Sequence, residues 1–254
     1  MTEPVLATEG LSRRFGGLMA AANVSIEVHR GRLHALVGPN GAGKTTLINL
    51  LSGELAATAG SIRYRGADIT RLAPDRRSRI GIGRSYQKTN VFPAFSAFEN
   101  CRIAAQSRAP RVLHVLADAL RYAPVCEAAR RALEAADLAG RDDRPASALS
   151  HGEQRQLEIA MVLATDPQVL LLDEPLAGMG AEEAARMVEL LRKLAPGHAI
   201  LLVEHDMDAV FALADTITVM VNGQVLESGP PAQIRASEAV RQAYLGDGAA
   251  EAAA

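Results

Sequence analysis

Three stretches of this 254-residue sequence carry residue types whose spacing suits chemistry on phosphates. The first is Gly38-Pro39-Asn40-Gly41-Ala42-Gly43-Lys44-Thr45-Thr46, a G-x-x-x-x-G-K-[ST] pattern between the apolar run Leu33 to Val37 and the apolar turn Leu47 to Leu51. Glycines let such a loop close around phosphate oxygens, with backbone N–H groups pointing inward at the positive end of the following helix. Lys44 then reaches the β and γ phosphates, and the Thr45 hydroxyl is suited to Mg²⁺. Lysine occurs only at 44, 88 and 193, which gives its presence here weight.

The second stretch, Val169-Leu170-Leu171-Leu172-Asp173-Glu174, reads as a buried strand ending in two acids. An aspartate at the C-terminal edge of a parallel strand beside a phosphate loop is an anionic partner for Mg²⁺-bound water. Glu174, one residue on, points elsewhere and suits polarising an attacking water. In the third, Leu149-Ser150-His151-Gly152-Glu153-Gln154, Ser150 with Glu153 three residues later is a capping box that opens a helix. A phosphate loop alone leaves kinases, GTPases, motors and transport ATPases open.

The elements that must position these residues follow from periodicity. Leu33 to Val37 has the pattern of a strand covered on both faces, whereas Val24 to Val28 and Ser61 to Arg65 alternate apolar and polar, as half-buried strands do. A small antiparallel sheet against a parallel core is expected. Val125, Ala128, Ala129, Ala132, Leu133 and Ala136 recur at helical spacing, so 88–148 reads as an inserted helical subdomain between core segments 1–87 and 149–245. After residue 152, helices alternate with the strands Val169 to Leu172, Ala199 to Val203 and Thr216 to Val221, which implies βαβ units. Asn222-Gly223 marks a hairpin, and 246–254 a frayed tail.

Composition excludes several classes. The net charge is −2, without the basic excess of a nucleic-acid binder. No apolar run is longer than Ile159 to Ala164, far short of the roughly 20 residues that cross a bilayer, and the N-terminus has no signal-peptide pattern. Two cysteines form no disulfide framework, and the six histidines show no metal spacing. A cytosolic chain without its own membrane span is expected.

With these pieces in order, the chain resembles the ATP-binding subunit of an ABC transporter over nearly its whole length. Its Walker A motif is Gly38 to Thr46, its LSGGQ signature is Leu149 to Glu153, and its Walker B motif is Val169 to Asp173 with Glu174 following. Gln87 resembles the Q-loop glutamine and His205, in Val203-Glu204-His205-Asp206, the switch histidine. Phe15 lies 29 residues before Lys44, where the family places an aromatic that stacks on adenine. The resemblance implies an α/β P-loop NTPase with a RecA-like parallel core, an antiparallel β subdomain and an inserted helical subdomain. It implies ATP and Mg²⁺ as cofactors and Glu174 as catalytic base. Thr45 and Asp173 would hold Mg²⁺, Gln87 would contact the metal and attacking water, and His205 the γ-phosphate. Two such subunits pair head to tail, so Ser150, Gly152 and Glu153 would complete the partner's ATP site. Two positions depart from the family pattern: His151 replaces the signature's first glycine, and Gly180 stands where the loop after Walker B usually has aspartate.

Leu11 to Leu18, Leu149 to Ala164 and the closing Ala243-Tyr244-Leu245-Gly246 are similar to Liv-type ATPases, which energise bacterial uptake of branched-chain amino acids. That subfamily implies a peripheral protein on the cytoplasmic face of the inner membrane, two transmembrane permeases and a second, non-identical ATPase, with a homodimer as the alternative. A periplasmic substrate-binding protein would act indirectly, and no nucleic acid is involved. The groove for the permease would lie in the helical subdomain, near Phe92, Phe95 and Phe98. The alternatives are an export ATPase of the lipopolysaccharide type, a soluble non-transport ABC ATPase and a non-hydrolysing cassette.

Overall fold

The computed structural model describes residues 3–87, 90–108 and 122–251. The chain opens with strands β1 (Leu6–Phe15), β2 (Leu18–Val24) and β3 (Glu27–Val28), then β4 (Arg32–Val37) and helix α1 (Lys44–Ser52). Strands β5 (Ala59–Tyr64) and β6 (Ala67–Asp68), helix α2 (Pro74–Ile80) and strand β7 (Ile82–Arg84) follow. The middle of the chain is helical, with α3 (Ala97–Gln106), α4 (Ala123–Ala135) and α5 (His151–Leu163). The last third alternates β8 (Val169–Asp173), α6 (Ala181–Leu194), β9 (Ala199–Val203), α7 (Met207–Leu213) and β10 (Thr216–Val221), and ends with β11 (Gln224–Gly229), α8 (Pro231–Ala236) and α9 (Glu238–Glu251).

Two sheets result. The larger has the order β11-β10-β4-β9-β8-β7, parallel except where β11 returns antiparallel on β10 through the Asn222-Gly223 turn. The smaller is antiparallel, β2-β1-β5-β6, with β3 also on β1. The apolar runs of the large sheet are continuous because both its faces are covered. Leu36, Leu171 and Leu201 enter the core shared with α1 and the small sheet. Leu33, Ala35, Leu170, Leu172, Ile200 and Leu202 enter a second core under α6 and α7. A third cluster joins α3, α4 and α5 through Cys101, Val125, Leu133 and Leu157.

The register of the large sheet sets up the site. Leu36 lies opposite Val203, and Val203 opposite Asp173. The segments leaving β4, β8 and β9 therefore emerge side by side on one edge, where open α/β sheets bind ligands.

Two local expectations change. Val24 to Val28 is not one strand, because β2 ends at Val24 and β3 begins at Glu27. The Thr8 hydroxyl accepts the Ile26 N–H (3.0 Å) and donates to the Val24 carbonyl (2.9 Å), substituting for the ladder across the bend. The alternation survives because Val24, Ile26 and Val28 all stay buried. The stretch expected to fray is helical as far as Glu251, although Gly246 and Gly248 are poor helix formers. Residues 88–89, 109–121 and 252–254, part of the expected helical subdomain and tail, lie outside the described residues.

Candidate active site

The phosphate loop is held in shape by its surroundings. At Gly38 (φ +149°) a Cβ would sit 2.1 Å from the Met220 carbonyl oxygen, and at Gly43 (φ +99°) 2.3 Å from that of Ala20. Neither position admits a side chain. The Ala42 carbonyl accepts the Gly223 N–H at 3.0 Å, so the β10–β11 turn braces the loop. Lys44 folds back and donates to the Gly38 and Pro39 carbonyls. The loop lines a cavity of about 540 Å³ with Asn40 to Thr46, and Phe15, Gln87, Glu174 and Asn222 line it as well. The Arg13 guanidinium covers one face of the Phe15 ring at 4.5 Å.

At the end of β8, Asp173 is almost fully buried and its Oδ1 has no hydrogen-bond partner. Burial pushes its carboxyl pKa up, against the pull of Arg84, whose guanidinium lies 3.6 Å from Oδ2. Arg84 is held in turn by Ser52 Oγ (2.8 Å) and Glu54 (3.0 Å). The next residue, Glu174, adopts φ +50°, and its N–H donates to the Val203 carbonyl at 2.9 Å. Gln87 Nε2 donates to Glu174 Oε2 at 3.0 Å, and His205 Nδ1 is 3.9 Å from Oε1. Behind His205, buried Glu204 accepts the Leu176 N–H (2.8 Å) and the His205 N–H (3.1 Å). Burial nonetheless pushes the Glu204 pKa up. The donor set suits a hard cation. Asp173 has an orphaned carboxylate oxygen, Thr45 has its hydroxyl and Gln87 its amide oxygen. No group of three acids, histidines or cysteines among the described residues forms a metal cage alone, so phosphate oxygens would complete the shell.

Ser150, Gly152 and Glu153 are not brought to this cavity. They line another, of about 640 Å³, between α5 and α6. Ser150 caps α5 and Glu153 closes the box, its carboxylate also accepting from Arg141 Nε at 2.9 Å. From α6, Glu183 Oε1 accepts both the Ser150 hydroxyl and the Gly152 N–H, each at 3.1 Å. These bonds hold the Glu183 carboxyl below the usual range.

The sequence matches the ABC transporter family over residues 21–177. Over residues 224–250 it matches the branched-chain amino acid ATP-binding cassette transporter family. This chain belongs to the ABC transporter family. The high-affinity branched-chain amino acid transport ATP-binding protein LivG of Salmonella typhimurium is 39% identical, over 97% of this chain and all of that protein. Its counterpart BraF of Pseudomonas aeruginosa is 38% identical over the same shares. Among solved structures, the ADP conformation of MJ1267, an ATP-binding cassette of an ABC transporter, superposes with a TM-score of 0.87 at 31% identity, over 96% of this chain and all of that one. The fold is that of an ABC cassette, ATP is its nucleotide, and the chain is an ATPase.

Several groups in this cassette have a structural role that the sequence does not reveal. Asn222-Gly223 reads only as a hairpin turn, yet it braces the Walker A loop. From the C-terminal helix, Tyr244 approaches Gly38, and burial pushes its phenol pKa up to about 12 despite a hydrogen bond with the Gly38 backbone. The two departures from the family pattern are near neighbours. His151 Nε2 lies 3.3 Å from the Ala177 carbonyl, in the loop that ends at Gly180. The contacts of Arg84, Arg155, Glu158, Glu183 and Glu204 cannot be read from the sequence, because the partners that define them are tens of residues away.

Proposed function

We propose that this cassette is the ATP-hydrolysing subunit of an importer for branched-chain amino acids or related small molecules. It binds Mg-ATP on Gly38 to Thr46 and completes a second ATPase's site with Ser150, Gly152 and Glu153. The observation that carries the hydrolytic reading is the Gln87–Glu174 hydrogen bond at the edge of the Walker A cavity. The substrate class is supported by full-length similarity to LivG and BraF and by the C-terminal family match.

The chain's own residues supply most of the chemistry. Backbone N–H groups of the loop and the N-terminus of α1 bind the phosphates. Lys44, which donates to the Gly38 and Pro39 carbonyls, is placed to reach the β and γ phosphates. Phe15 stacks on adenine with the face that Arg13 leaves open. Thr45, Asp173 and Gln87 would hold Mg²⁺, which would supply positive charge to neutralise the transferring phosphate. Glu174 accepts the proton of the attacking water, Gln87 fixes the carboxylate that does so, and His205 contacts the γ-phosphate.

No described helix is long and apolar enough to cross a membrane, and the similarity to relatives named as transport ATP-binding proteins supports separate permease subunits. Phe92 and Phe95 stack at 5.5 Å on the surface beside α3, and with Phe98 they mark the expected permease groove. The placement of the chain on the cytoplasmic membrane face follows from that docking.

The test is to tag the chain, solubilise native membranes in mild detergent and identify what co-purifies. Uptake of labelled leucine, isoleucine and valine is then measured with and without the chain. Two multi-span permeases, a second non-identical ATPase and chain-dependent uptake are expected. Two exporter-type permeases with a homodimer of this cassette would overturn the import reading, and the absence of any membrane partner would overturn transport.

A further inference from the structure

Arg155 and Glu158 lie one turn apart on α5, their side chains only 7% and 6% exposed, with Arg155 NH1 3.0 Å from Glu158 Oε2. Neither belongs to the phosphate loop, to Walker B or to the signature. A buried ion pair is by itself a weak source of stability, because desolvation offsets its Coulomb attraction. This pair is also bonded to one particular stretch of backbone. Arg155 donates from NH1 to the Tyr86 carbonyl at 3.0 Å and from NH2 to the Gln87 carbonyl at 2.6 Å. Glu158 Oε1 accepts the Asn90 N–H at 2.6 Å. The planar guanidinium fork suits two neighbouring carbonyls and a carboxylate at once. The segment carrying Gln87 is thus held at residues 86, 87 and 90 by two side chains of the helix whose first turn presents Ser150 and Gly152.

We propose that Arg155 and Glu158 are positioning residues for Gln87. They fix the backbone on both sides of it so that its amide meets Glu174, and they tie that amide to the signature helix. The inference rests on the reading of Gln87 as a group that acts in hydrolysis.

The test is a comparison of three variants in the full-length chain with its co-purifying partners: Gln87→Ala, the double variant R155M/E158L, and their combination. Replacing a buried ion pair by apolar side chains is often neutral or stabilising, so the double variant is expected to fold while losing all three bonds to the segment. Expected are an ATP Kd within about two-fold of the parent and a kcat about ten-fold lower. Little further loss is expected in the combination, because both changes act through one group. An unchanged kcat in R155M/E158L, or losses that multiply with Gln87→Ala, would overturn the positioning role while leaving Gln87 in place. A parental kcat in Gln87→Ala would instead overturn the reading of Gln87, and the proposal with it. If the double variant does not fold, Arg155→Lys serves, since an ammonium lacks the fork and the same masking by Gln87→Ala is expected.

Discussion

Glu174 holds a left-handed backbone conformation (φ +50°) that costs a non-glycine residue on the order of 1–3 kcal/mol. The bond from its N–H to Val203 fixes the turn, and the side chain is delivered to Gln87 as a result. Strain and role are therefore separable. Glu174→Gly should leave thermal unfolding unchanged or raise stability by about 0.5–1 kcal/mol, while kcat falls about 100-fold or more. Glu174→Gln should cut kcat similarly and retain ATP binding; unchanged hydrolysis in either would remove the catalytic-base assignment. Glu183 gives a second residue-scale outcome. Its carboxylate occupies the two donors, Ser150 Oγ and Gly152 N–H, that are proposed to cap a partner's nucleotide. Glu183→Ala should lower the ATP concentration needed for assembly with the partner ATPase by about three-fold or more, since charge-assisted bonds no longer compete. Light scattering across an ATP titration reads this directly, and a rise in the required ATP would mean that Glu183 instead shapes the signature loop.

At the scale of elements, β4 and β10 are joined by a buried polar contact as well as by their ladder. His34 Nδ1 faces the Glu27 carbonyl at 2.8 Å and Nε2 faces the Thr218 hydroxyl at 2.7 Å, so the neutral ring with its proton on Nδ1 satisfies both. Burial lowers the His34 pKa from the ordinary 6.5. In the unfolded chain His34 takes up a proton as pH falls through 6.5, while in the fold it stays neutral until lower pH. Its contribution is therefore intact above pH 6.5 and declines progressively below it. Chemical unfolding of the parent and of His34→Gln at pH 7.5 and 5.5 should show the parent losing more stability on acidification. Equal losses would place the titration elsewhere. The signature helix depends on its cap in the same local way. Ser150→Ala should cost about 1 kcal/mol of stability, because the Glu153 N–H loses its acceptor.

For the whole molecule, the two faces proposed to contact nucleotide lie apart: the Walker A cavity at the edge of the large sheet, and the signature donors in the cavity between α5 and α6. A single chain therefore cannot close both faces on one nucleotide. The loop joining them ends at Gly180, which cannot offer the carboxylate that the family usually places there. That difference fits the unequal partnership proposed above. The Glu174→Gln chain, mixed with ATP and its co-purifying second ATPase, should form a heterodimer at lower ATP than it forms a dimer with itself. Strong self-association that ignores the second ATPase would overturn this.

What the sequence determined was local or periodic. The β9 and β10 boundaries coincide with their apolar runs, and the expected parallel core and antiparallel sheet are present, because period-two burial and glycine-bounded runs are written in consecutive residues. The phosphate loop was legible for the same reason: its glycines, lysine and threonines are contiguous, and its conformation leaves few other residue types possible. Tertiary structure alone decided what meets across the chain. The alignment of Leu36, Val203 and Asp173 sets the site edge, and Gln87 reaches Glu174 from 87 residues away. Arg155 clamps a segment 68 and 69 residues distant, and Glu183 answers a helix cap 33 residues before it. Such contacts leave no period and no motif in one sequence, because a buried arginine and a solvated one are spelled alike until packing removes the water.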